Sequence, residues 1–213
     1  MFLYHNPCKV FRKADSYKHC YQQRIGMYET SSISEIVTIL KETRIRLIGI
    51  DGIDGVGKSM LATKLSQELG YTHLNIDDYI DKNHGQYVNH VHYDAIRRQL
   101  NDEKKNPIII EGVCLLAVFE KLQRDLDMLI YIKKVSEYGS WRDKDDCDIT
   151  EGIDEFMTKK KETLQKFVEA EAHIEGKDVS NDAIFPELAE EIIRYHYGYR
   201  PHDKADIIYK RID

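Results

Sequence analysis

The sequence predicts an α/β fold in three layers, with a parallel sheet at the centre and helices on both faces. Three observations predict it. Five short segments read as strands, at 45–51, 72–76, 107–112, 127–132 and 205–209. The runs at 45–51, 107–112 and 127–132 are rich in Ile and Leu and lack the polar alternation of a half-exposed strand. Helical patterns separate the segments, as crossovers between parallel strands require. The first segment runs directly into Gly52-Ile53-Asp54-Gly55-Val56-Gly57-Lys58-Ser59, which has the spacing G-x-x-x-x-G-K-[ST].

Composition bounds what the chain does. Its 213 residues suit one α/β domain, and 42% hydrophobic residues can fill a core. A net charge of −6 argues against nucleic acid as a partner, because phosphate-backbone binding needs a basic face. Four scattered cysteines without a C-x-x-C pair point to reduced thiols and a cytoplasmic location. No run approaches the apolar length of a membrane span, so no membrane partner is expected.

Residues 1–31 mix Tyr, Lys and His and read as a peripheral arm or a short extra helix. His5, Cys8, His19 and Cys20 are not at metal-finger spacing. Ser32-Ile33-Ser34-Glu35 is a capping box, opening a helix with Ile33, Ile36, Val37 and Leu40 on one side. Residues 1–44 are thus an arm and helix packed on a main domain at 45–213. The strand at 45–51 feeds the glycine loop. Its backbone must turn tightly and approach an anion without a Cβ in the way. The helix that follows, with Leu61, Leu65 and Leu69 inward, closes at Gly70 and adds its positive dipole end. Lys58 is placed to reach β/γ-phosphates and the Ser59 hydroxyl to hold Mg²⁺. Gly52, Ile53, Asp54, Gly55, Val56, Gly57, Lys58, Ser59 and Met60 form the phosphate-binding segment.

The second strand ends in Asp77-Asp78, and the third (Pro107–Gly112) in Glu111. Residues past the carboxyl ends of parallel strands face the ligand crevice. Asp77 and Glu111 are therefore expected beside the phosphates, with Asp78 turned away because side chains alternate along extended backbone. His84, His90 and His92 lie in a polar stretch that reads as a loop or an acceptor pocket. Residues 93–103 and 115–122 read as helices. Residues 133–149, with Trp141-Arg142-Asp143, read as a lid. A long helix follows, with Ile153, Phe156, Met157, Leu164, Phe167 and Val168 on one face. After a polar connection at 171–184, Pro186 suits the first position of a helix that buries Leu188, Ile192 and Ile193.

A phosphate loop after the first strand, Asp77 after the second and Glu111 after the third resemble the uridine kinase-like branch of the P-loop small-molecule kinases. The matching stretches are Ile48–Ser59, Ile76–Tyr79, Ile109–Gly112, Trp141-Arg142-Asp143 and Arg200-Pro201 through Ala205–Ile208. The loop also looks like that of thymidylate kinase, whose Asp-Arg-Tyr/Phe signature is missing. The resemblance implies the P-loop NTPase fold, with a five-stranded parallel sheet in the order 2-3-1-4-5. It implies ATP as donor (GTP as an alternative), Mg²⁺ organised by Ser59, Glu111 and Asp77, Asp77 as base toward an acceptor hydroxyl, and Arg142 as the lid cation. The acceptor is a small metabolite, a nucleoside first. Another small acceptor (a vitamin precursor, sugar or nucleoside monophosphate), or a module that binds nucleotide without turnover, is the alternative. A homo-oligomer is left open. The lid is acidic where the family has arginines, carrying Asp143, Asp145, Asp146 and Asp148.

Overall fold

A computed structural model of the chain describes residues 27–43, 45–81, 86–101, 106–175 and 185–212. Most of the predicted arm, His5, Cys8, His19, Cys20 and His84, and most of the 171–184 connection lie outside those residues. Six strands form one sheet: β1 Tyr28–Thr30, β2 Leu47–Asp51, β3 Thr72–Asn75, β4 Ile108–Glu111, β5 Met128–Val135 and β6 Ile207–Ile212. All pairings are parallel and the order is β1-β6-β5-β2-β4-β3.

The expectation of five strands is corrected to six, and the sheet order changes with it. The added strand, β1, falls in the segment read as an arm or helix. Three residues carry no readable periodicity, and what makes them a strand is the edge that β6 offers, with Tyr28 opposite Ile207 and Thr30 opposite Tyr209. It extends the sheet beyond β6, while β3, β4, β2, β5 and β6 remain successive neighbours.

Eight helices occur among the described residues: α1 Ile33–Thr43, α2 Lys58–Leu69, α3 Tyr93–Leu100, α4 Leu115–Leu122, α5 Lys144–Cys147, α6 Ile153–Glu175, α7 Glu187–Tyr199 and α8 Pro201–Lys204. They cover both faces of the sheet, and strand alternation explains how. Leu47, Ile108, Ile110, Leu129, Tyr131 and Ile208 enter a core shared with α3, α4 and α7. Their neighbours Ile48, Ile50, Ile109, Met128, Ile130, Ile132 and Ile207 enter a second core with α1 and α2. Each such side chain, fully buried, stabilises the fold by about 1.5–3 kcal/mol relative to exposure. This two-sided burial is why the central strands are apolar until their carboxyl ends.

Several local expectations change. Ile76 leaves the strand and opens a 3-10 turn, Ile76–Tyr79, whose Asp77 N–H donates to the Asn75 side chain at 2.9 Å. Pro186 caps α7 from outside rather than entering it, and Leu188 is 39% exposed. Phe167 of α6 is 64% exposed and Leu164 and Val168 are half-buried, so among the described residues the predicted apolar face is best covered near its start, where Met157 meets Ile149 and Ile193. At the capping box the Glu35 N–H donates to Ser32 Oγ at 3.4 Å. The Glu35 carboxylate does not reach back to Ser32; it accepts from Thr30 Oγ1 and Tyr28 OH, tying α1 to β1. No described helix is long and apolar enough to cross a membrane.

Candidate functional site

The candidate site lies at the carboxyl ends of β2, β3 and β4. Gly57 caps α2 with φ 98°, a left-handed conformation that L side chains rarely adopt, and no side chain caps the helix. The first-turn N–H groups of α2 are therefore offered to whatever lies in front of them, a ready anion site. At the loop entrance Gly52 permits a close approach, since a Cβ there would meet Val56 Cγ1 at 2.9 Å. Lys58 is buried, and its Nζ donates to the Ile53 carbonyl at 2.9 Å, so the ammonium folds across the loop. Asp54, Gly55, Ser59 and Met60 are exposed.

Three carboxylates end these strands or follow them directly, in different settings. Glu111, last in β4, is 1% exposed. Its Oε1 lies 3.5 Å from His73 Nε2, and neither atom has a hydrogen-bond partner among the described residues. A buried, unbonded carboxylate oxygen is costly unless something else completes it. Asp77 is exposed, and one of its oxygens accepts from the Tyr87 hydroxyl at 2.7 Å. Burial, and then the Asp77 charge, hold the Tyr87 hydroxyl well above the ordinary tyrosine range, so it remains a donor. Gly112 lets Tyr87 in: a Cβ there would lie 3.0 Å from the Tyr87 oxygen. Asp78 is exposed as well, and the two carboxylates leave a turn rather than an extended strand.

The third carboxylate, Asp51, belongs to the set that sequence reasoning missed. It ends β2, is fully buried, accepts from the Gly52 N–H at 2.7 Å, and accepts a hydrogen bond from the Tyr195 hydroxyl of α7. Burial pushes its carboxyl up to about 6, against the opposing pull of Tyr195, the Gly52 N–H and the Lys58 charge. A carboxylate closing an apolar strand is the signal that picked out Glu111, and it was present at Asp51 too. Tyr87, His73 and Tyr195 carried no comparable signal.

Arg142 is exposed, and its backbone N–H donates to the Lys134 carbonyl at 2.9 Å. The predicted lid is in part the end of β5, in part α5. Its Trp141 is anchored against His202 and Tyr131, at ring distances of 5.3 and 6.2 Å, with Lys133 Nζ 4.4 Å from the Trp141 ring. The acidic run is answered by basic groups from elsewhere: Arg200 reaches Asp148 at 2.8 Å and Lys160 pairs with Asp146. His92 pairs with Asp81 at 2.9 Å on the surface.

No family model matches the chain, and no curated protein matches it. Among solved structures, that of a possible uridine kinase from Bacillus stearothermophilus is similar, at 17% identity over 83% of this chain and 98% of that chain, with a TM-score of 0.41.

Proposed function

We propose that the chain is an ATP- and Mg²⁺-dependent phosphotransferase acting on a hydroxyl of a small metabolite, a nucleoside being the first candidate. One observation carries the reading. A glycine loop with the phosphate-binding spacing leaves β2 and enters α2 through a left-handed Gly57, with uncapped helix N–H groups and Lys58 folded over it. The loop would bind the donor polyphosphate, Lys58 turning from the Ile53 carbonyl to the β/γ-phosphates.

The orphaned Oε1 of Glu111 supports a divalent cation nearby, held by Glu111 with Ser59 and Asp77. When bound, the metal supplies charge neutralisation for the transferring phosphoryl group. Asp77 would take the proton of the acceptor hydroxyl, oriented by Tyr87, and Arg142 would meet the phosphoryl group from the lid. A second reading, nucleotide binding without turnover, is favoured by the acidic lid, whose Asp148 pairs with Arg200, a cation also held by Asp203.

The test is ADP release against a panel of nucleosides, sugars and vitamin precursors, with Lys58→Ala in parallel. Acceptor-dependent release that Lys58→Ala abolishes is expected. Nucleotide binding without acceptor-dependent release would select the second reading. A Lys58→Ala protein that keeps full nucleotide-dependent thermal stabilisation would sink both.

A further inference from the structure

We propose that Arg211, near the end of β6, is a positioning residue of the phosphate loop, setting its affinity for polyphosphate. The inference rests on the reading of Gly52–Ser59 as a polyphosphate site. Arg211 Nη1 donates to the Val56 carbonyl at 2.9 Å across 155 positions of sequence. A Cβ built on Gly57 would fall 2.5 Å from the same nitrogen. The guanidinium therefore lies directly against the loop backbone one residue before Lys58. Its own backbone is held in the sheet, Arg211 standing opposite Lys134 of β5. The contact comes from a strand, and a strand fixes a side chain better than a loop does.

The peptide bond explains what the contact does. Val56 C=O and Gly57 N–H belong to one planar trans unit and point in opposite directions. Holding the carbonyl from the Arg211 side aims the Gly57 N–H away from Arg211. That N–H is one of the consecutive loop donors from which an anion-binding concavity is built. A guanidinium is suited to this because it is permanently charged and its fork is rigid. Gly57 is thus needed twice, for its φ of 98° and for the room that Arg211 occupies. The added positive charge beside the loop raises its attraction for phosphate further.

The test uses the full chain and calorimetric titration with two probes, ATP and inorganic tripolyphosphate, the second lacking any base. Arg211→Gln should weaken both by the same factor, about tenfold or more, the scale of a lost hydrogen bond to a charged group. Its melting temperature without ligand should match the parent's. Arg211→Lys should recover part of the loss, and Lys210→Gln, removing a like charge one residue away, should leave both affinities within about twofold. Arg211→Met, which keeps the apolar stem, substitutes if Arg211→Gln does not fold. Parent-like affinity in a folded Arg211→Gln or Arg211→Met protein overturns the proposal. So does a loss confined to ATP, which would place Arg211 on the base. If the parent binds neither probe, the phosphate-site reading fails first and takes this inference with it.

Discussion

Asp77 and Asp78 sit side by side in the sequence, and the structure separates them by one hydrogen bond. Both are exposed, but the described partner, the Tyr87 hydroxyl at 2.7 Å, goes to Asp77. Tyr87 is in turn held from α7: the Glu191 carboxylate accepts from the Tyr87 and Val88 N–H groups at 2.5 and 3.0 Å. A general base must be oriented before its basicity matters. Asp77→Asn should therefore lower kcat by about 10²–10⁴-fold while ATP still binds, since the amide keeps its size but cannot take a proton. Asp78→Asn should stay within a few-fold of the parent. Tyr87→Phe, which frees the carboxylate without removing it, should fall between the two. Steady-state turnover with the best acceptor from the panel decides, and a crippled Asp78→Asn with a normal Asp77→Asn would reverse the assignment.

Among the elements, α7 does the most to set the site. Within six residues it supplies Glu191 to the Tyr87 turn, Tyr195 to Asp51 and His196 to Tyr131, whose hydroxyl lies 2.9 Å from the His196 Nε2. Burial holds His196 down to about 4, and its Nδ1, 2.8 Å from the Ile192 carbonyl, carries the proton of the neutral ring. Asp51 and His196 then act in opposite senses on acidification. Asp51, raised to about 6, contributes stability that is full below its ordinary value near 4 and lost as pH rises through 6. His196 contributes stability that is full above its ordinary 6.5 and lost as pH falls toward 4. In the parent the two offset each other between pH 4 and 6.5. In Asp51→Asn only the His196 slope remains, and melting temperature should fall more steeply on acidification than in the parent, the difference in stability across the window being on the order of 3 kcal/mol. Parallel melting curves for parent and variant would show that Asp51 titrates as an ordinary carboxylate. None of this was legible in the sequence, because Tyr195 and Asp51 are 144 positions apart and Tyr195 looks like any other helix residue. The loop and α2 were legible because glycine spacing, a helix period and a terminal Gly70 are local signals. β1 was not, since a three-residue edge strand is specified by its neighbour rather than by itself.

For the molecule as a whole, the glycine loop and the middle of β2 occupy different heights of one sheet, and stability and binding are expected to be separable. Gly49 shows where. It sits mid-strand in β2, two residues before Asp51, and a Cβ there would lie 2.4 Å from Leu126 Cδ1 and 2.8 Å from Leu115 Cδ2. Its φ is unremarkable, so the glycine answers to packing alone: the Leu115 side chain of α4 and the Leu126 side chain of the chain entering β5 press directly on the β2 backbone. The obstructing atoms are the tips of leucines, which shift at moderate cost, and overpacking of this kind costs about 1–3 kcal/mol. In a domain of this size each kcal/mol lowers the melting temperature by about 2–4 °C. Gly49→Ala should therefore melt several degrees lower while binding ATP with parent affinity, because Gly52–Ser59, Lys58 and Arg211 lie beyond the disturbed layer. Lys58→Ala should do the reverse, melting close to the parent without ligand and gaining little from ATP. Calorimetry and thermal melts on both variants make the comparison. A large loss of ATP affinity in Gly49→Ala would mean that strain in the middle of β2 reaches the loop, and that core and site behave as one mechanical unit.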